Sequence, residues 1–114
     1  MNNGDIHWAE LPVASGREQQ GRRPAVVIQD EQVGKKLPTV LVVPLTSSKL
    51  ALRFAGTALI AATTKSGLKN DSVAFVFQAL AIDRSRLDDK TGSVSEQERA
   101  EVQKQLRILT GESL

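Results

Sequence analysis

Residues 39–45 read Thr-Val-Leu-Val-Val-Pro-Leu, and residues 25–29 read Ala-Val-Val-Ile-Gln. β-branched side chains fit a pleated, half-buried surface. In both runs the apolar residues follow one another instead of alternating. Each is therefore expected as a strand covered on both sides, by a barrel interior on one and by a helix, loop or second subunit on the other. Working outward, similar short runs lie at Asp5–Leu11, Gly56–Ala61 and Ser72–Gln78, with a weaker sixth at Lys90–Val94. Gly16, Gly21, Pro24, Gly34, Pro38 and Gly67 punctuate them, the spacing of a small barrel or sandwich. One helix is expected from about Glu96 to Thr110. Ser95 caps it, Glu98 completes a capping box, Gly111 stops it, and Val102, Leu106 and Leu109 form one apolar stripe against the barrel. The fold class is mainly β with one C-terminal helix.

At 114 residues the chain suits a single domain over 1–114. Hydrophobic residues at 40% and charged residues at 25% argue against wholesale disorder. With no cysteine there is no disulfide framework, thiolate zinc site or catalytic Cys, and the single histidine, His7, is too few for a multi-histidine centre. No metal or cofactor is expected. The longest apolar run, Val40 to Leu45, falls far short of the roughly 18 residues that span a membrane. The first residues, MNNGDIHW, lack a basic segment followed by an apolar stretch, so a cytoplasmic protein is expected.

The net charge of +2 is unevenly spread. Residues 1–69 hold nine basic against five acidic side chains, net +4, while residues 70–114 hold six against eight, net −2. A basic front half suits a polyanion, although unevenly charged solvated surfaces are as common. Aromatics make up only 4%, too few for a broad base-stacking platform.

The polar segment from Leu11 to Gln29 is the most informative. Pro24 holds Arg23 extended at the entrance of a buried strand, and Glu18 lies five residues earlier. A planar guanidinium at a rigid rim matches phosphate oxygens; an Arg–Glu surface salt bridge is the plainer alternative. Thr46 and Ser47 follow the strand that begins at Thr39, where hydroxyls orient an anionic oxygen or simply make a turn.

Four blocks, GDIHWAEL (4–11), GREQQGRRPAVVI (16–28), VPLT (43–46) and DSVAFVFQ (71–78) followed by Asp83, resemble the MazF/PemK family in order and spacing. The resemblance spans nearly the whole chain, and the block beginning at Gly16 is its most specific part. It implies a small SH3-like barrel of about five to seven antiparallel strands, MazF/CcdB-like. It further implies a homodimeric type II toxin that cleaves single-stranded mRNA selectively and without metal. A cognate antitoxin would lay an extended acidic segment over the RNA site.

By position, Arg23 matches the family's catalytic arginine, Glu18 its loop carboxylate and Thr46 its active-site threonine. RNA supplies its own nucleophile, the 2′-OH. Glu18 suits the general base, while Arg23 and Thr46 suit charge stabilisation on phosphorus. Proton transfer involving Arg23 itself stays open. The expected ends are a 2′,3′-cyclic phosphate and a 5′-hydroxyl. Gln19, Arg22, Ser47, Arg53, Phe54 and Gln78 are candidate substrate contacts; Phe54 is equally a loop anchor, and Gln78 bonds backbone or substrate. Leu80 stands where the family often has Arg, and Arg17 where it often has Ser. His7 is expected to point outward without a catalytic role, Trp8 to pack between barrel and helix or at a dimer contact, with direct RNA contact as the lesser alternative, and the pairs Asp30–Glu31 and Asp88–Asp89 to be solvated turns. The rivals are a CcdB-like gyrase poison and a catalytically silent peptide-binding barrel.

Overall fold

The computed structural model describes residues 1–12, 16 and 19–112. Among them, seven strands form one antiparallel sheet: β1 (Asp5–Leu11), β2 (Gly21–Val27), β3 (Thr39–Thr46), β4 (Thr57–Ile60), β5 (Ser72–Phe75), β6 (Leu80–Asp83) and β7 (Leu87–Ser93). A single helical turn, α1 (Glu31–Gly34), joins β2 to β3, and α2 (Glu96–Leu109) ends the fold. The strand path runs β4-β5-β3-β2-β1-β7, with β6 also on β3, and it is open between β4 and β7. The mainly β fold with one C-terminal helix is thus as expected from sequence.

The consecutive apolar residues in β2 and β3 have the two-sided role their order implies. Val26 and Ile28 of the second run and Val43 and Leu45 of the third enter one buried cluster, with Ile6, Ile60, Ala74 and Val102 of α2. Their neighbours Ala25, Val27, Val40 and Val42 enter a second cluster on the opposite face, with Ala9, Leu11 and Ile82. Full burial of such a Val, Leu or Ile contributes roughly 1.5–3 kcal/mol. The sheet is therefore held from both faces, and its central strands cannot slip by one residue without exchanging these faces.

The helix begins as its capping box dictates: Ser95 Oγ accepts from the Glu98 N–H at 3.1 Å, and Glu98 Oε1 accepts from the Ser95 N–H at 2.8 Å. Glu98 Oε2 also accepts from the Ala61 N–H at 2.8 Å, which fastens the first turn to the end of β4. The expected stripe is buried only in part. Val102 is buried and Leu106 half-buried, but Leu109 is 43% exposed, its side chain lying over Gly56 just ahead of β4.

Several boundaries move. β1 has the expected limits, and β3 runs one residue further, to Thr46. β2 starts at Gly21, earlier than the expected Ala25, since β1 pairs with its charged end, Glu10 opposite Arg22. The fifth strand stops at Phe75, and Val76–Gln78 coil into a 3-10 turn. β6, not anticipated, then pairs Leu80–Asp83 with Val42–Thr39. Asp30 is more than a solvated turn residue: it caps α1, accepting from the N–H groups of Gln32 and Val33.

Candidate active site

The β2–β3 ladder ends at Ala25 opposite Pro44. Pro24 and Pro44 each lack the N–H that would extend such a ladder. Beyond that point β2 carries Arg23 and Arg22, β3 ends at Thr46 with Ser47 next in the chain, and a cleft of about 540 Å³ opens between them. Ligand sites commonly fall between about 300 and 1,000 Å³. Leu45 and Pro24 form its apolar floor, and Trp8 of β1 stands beside them.

Arg23 is half-buried, and its Nε donates to the Gln20 carbonyl at 3.1 Å. That bond fixes the fork, and among the described residues no other group bonds it, which lets its terminal nitrogens meet an anion in the cleft. Thr46 Oγ1 accepts from the Ser48 N–H at 3.3 Å, which leaves its own hydrogen for a substrate oxygen. Arg22 is more exposed. Its Nη1 meets Asp88 Oδ2 of β7 at 2.5 Å, and its guanidinium lies 5.1 Å from the Trp8 ring centroid. The Arg22 hydrogen bond, and then its charge, hold the Asp88 carboxyl below the ordinary carboxylate range. Asp88 is thus engaged, where the sequence suggested only a solvated turn.

The far wall comes from residues the sequence did not single out. Gly67, Leu68, Lys69 and Asn70 lie on the loop between β4 and β5 and face the arginines across the cleft. Ser66 ties this loop down: its buried hydroxyl donates to the Ala61 carbonyl at 2.8 Å and accepts from the Thr63 N–H at 3.0 Å. Gly67 (φ +68°) and Gly92 cross so closely that a Cβ on Gly67 would meet the Thr91 carbonyl and one on Gly92 the Lys65 carbonyl. No local motif announces Lys69, because only the crossing with β7 brings its loop over the cleft.

Other sequence candidates lie elsewhere. Glu18 falls outside the described residues, as does Arg17. Gln19 and Gln78 are joined to each other, the Gln19 N–H donating to Gln78 Oε1 at 2.7 Å, and neither lines the cleft. Arg53 and Phe54 belong to a different surface. Arg53 lies 5.1 Å from the Phe54 centroid, and Phe54 packs against Phe77 at 5.9 Å. Leu80 pairs with Val42 in the sheet. His7 Nδ1 lies 2.9 Å from the Asp88 carbonyl and outside the cleft, and its Nε2 is buried without a hydrogen-bond partner among the described residues, so the ring does not simply point outward as expected. Trp8 lines the cleft instead of packing under the helix, because alternation along β1 puts it on the face of Ile6 but beyond the end of the core.

A smaller cavity of about 100 Å³ near Met1, Asp30 and Arg84 offers less. Its arginine is occupied, donating to the Leu37 and Gly34 carbonyls. Among the described residues no three His, Asp or Glu side chains gather in a group that could hold a metal ion. None of the described helices is long and apolar enough to cross a membrane.

A family model described as PemK-like, MazF-like toxin of type II toxin–antitoxin system matches residues 2–110. Two relatives named endoribonuclease MazF, from Staphylococcus saprophyticus and Staphylococcus epidermidis, are 32% and 33% identical over 97% of this chain and 92% of their own lengths. In fold, the crystal structure of MazF from Deinococcus radiodurans aligns with a TM-score of 0.83 at 23% identity, covering 98% of this chain and 97% of that one. An endoribonuclease from a Mycobacterial species, solved with its cognate antitoxin, aligns at 0.80 with 13% identity, covering 100% of this chain and 98% of that one.

Proposed function

Because the chain belongs to the PemK-like, MazF-like toxins of type II toxin–antitoxin systems, we propose that it is the toxin of such a pair, an endoribonuclease that cuts single-stranded mRNA at selected sequences without a metal ion. The observation that carries this reading is the convergence of Arg22, Arg23, Thr46 and Ser47 on one cleft. Relatives named as endoribonucleases supply the reaction class.

The residues divide the work as follows. A phosphodiester settles against Arg23 and Thr46, with Ser47 and Lys69 on the flanking phosphates. Glu18 takes the proton from the 2′-OH. The freed oxygen attacks phosphorus, the bond to the 5′-oxygen breaks, and its electron pair leaves with that oxygen, which takes a proton from water while Glu18 returns its own to solvent. Arg23 and Thr46 hold the charge that builds on the non-bridging oxygens, in a cleft whose donors are already in place. The products are a 2′,3′-cyclic phosphate and a 5′-hydroxyl.

The molecule acts as a single-domain homodimer in the cytoplasm. Its cognate antitoxin covers the basic cleft with an extended acidic segment, attracted by the charges that attract RNA. The test is purified protein with a mixed RNA pool in excess EDTA, with the cut ends mapped. Discrete cuts bearing 5′-hydroxyl ends are expected. Intact RNA with arrested gyrase would replace this reading with the CcdB-like poison, and intact RNA with tight peptide binding would replace it with the silent barrel.

A further inference from the structure

We propose that Trp8 is the base-stacking residue of the cleft, that Arg22 is the second plane of the stack, and that Asp88 positions Arg22. The proposal rests on the nuclease reading above and extends it, from where the backbone is cut to how a neighbouring base is held.

Trp8 is the chain's single tryptophan and, among the described residues, the only aromatic side chain lining the cleft. The three phenylalanines are engaged with one another elsewhere, Phe75 and Phe54 each against Phe77. A large aromatic left half-exposed beside two arginines and a lysine has little to gain from core packing. It does offer a π face at the level of the phosphate-binding groups. Bases of single-stranded RNA are splayed out and stacked on such rings and on arginine planes.

The backbone builds this arrangement. Trp8 stands opposite Pro24, so Arg22, two residues away on the same face, is its diagonal neighbour. On the other side, β7 is bulged: His7 pairs with Lys90 and Ala9 with Leu87, so Asp88 and Asp89 together oppose Trp8 alone. A bulge re-aims side chains, and here the Asp88 carboxylate meets Arg22 at 2.5 Å while the guanidinium stays 5.1 Å from the indole centroid. That separation is within the roughly 6 Å over which a cation is drawn to a ring face. Asp88 therefore engages the fork and keeps it beside the indole instead of on a phosphate.

Because Trp8 is alone, its emission reports the stack directly. The probe is a labelled single-stranded RNA of mixed sequence, 2′-O-methylated throughout so that no nucleophile remains. Binding is followed by anisotropy of the label, and stacking by Trp8 emission. Wild type is expected to bind with emission at least halved. Trp8→Ala is expected to weaken binding about ten- to hundredfold, with Trp8→Phe within about threefold of wild type. Asp88→Asn releases Arg22 toward phosphate. It should steepen the dependence of log affinity on log salt by about 0.7, one further phosphate contact on a single strand, while reducing the quench.

Binding with unchanged Trp8 emission would overturn the stack and leave the nuclease standing. An unchanged quench and salt slope in Asp88→Asn would remove Asp88 from it. Failure to bind the probe by a protein that cuts an RNA pool would also refute the stack. Failure both to bind and to cut would refute the nuclease reading first.

Discussion

Among the described residues two arginine–aromatic contacts have the same length, and they sit in opposite surroundings. Arg22 lies 5.1 Å from Trp8, and Arg53 lies 5.1 Å from Phe54. Around the first are Asp88, Arg23, Thr46 and a cleft. Around the second is an apolar surface: Phe77 beside Phe54, the Leu109 side chain against Gly56, and Leu50 and Leu52 exposed nearby. The pairwise contact is thus no guide to role. What separates the two is whether the ring also faces a concave space that holds anion-binding groups.

Four measurements test that contrast. The largest effect is expected from Arg23→Ala, which should lower the cleavage rate by at least about 10²–10³-fold, as loss of a donor to developing charge does. The thermal midpoint should hardly move, since Arg23 sits at the rim of the core. Retained cleavage in this variant would place the chemistry elsewhere. Next come the two aromatics compared directly. Trp8→Ala should cost about ten- to hundredfold in RNA affinity, whereas Phe54→Ala should leave affinity and cleavage nearly unchanged. The latter should instead cost about 0.5–1.5 kcal/mol of stability through its lost aromatic partner, read by denaturant unfolding. The opposite pattern would make the 49–54 turn the substrate surface.

A smaller separation is expected from the arginines themselves. Arg22→Ala removes a contact worth ~0.5–1 kcal/mol at an exposed site, about a two- to fivefold loss of RNA affinity. Arg53→Ala should leave affinity unchanged within twofold. The smallest effect concerns pH. Asp88 titrates below its ordinary value of 3.8 because Arg22 bonds it. A carboxylate with a depressed folded pKa contributes its interaction at and above the ordinary value and loses it as pH falls through the folded one. Trp8 emission should therefore be flat from neutrality to pH 4 and shift at a midpoint below 3.8. Asp88→Asn should abolish that step; its persistence would assign the change to another group.

Much of the scaffold was legible because it is written in local pattern. The limits of β1, the course of β3 and the box of Ser95 with Glu98 all follow from neighbours within a few residues. β6 was not, since Leu80–Asp83 is short and a 3-10 turn precedes it without a glycine or proline to mark the break. The start of β2 was hidden too: Arg22 and Arg23 read as loop, but pairing with Glu10 and Ala9 makes them strand. In the candidate site, Arg23 and Thr46 could be picked out only through the family resemblance of the blocks that hold them, since by local pattern a surface salt bridge and an ordinary turn were the plainer readings. Lys69, Asn70 and the direction of Trp8 depend on the crossing of the 61–71 loop over β7, a contact between segments more than twenty residues apart.

The tether of that loop has a thermodynamic side. With the Ser66 hydroxyl shared among four backbone groups and two glycines pressed against opposing carbonyls, the wall bearing Lys69 is ordered before any ligand arrives. The rotamer and backbone freedom that a mobile lid would surrender on association is already gone in the unliganded protein. Ser66→Ala would accordingly slacken association with a polyanion although the hydroxyl touches none of it, and the deficit would surface as an entropic term in calorimetry with its enthalpy nearly intact.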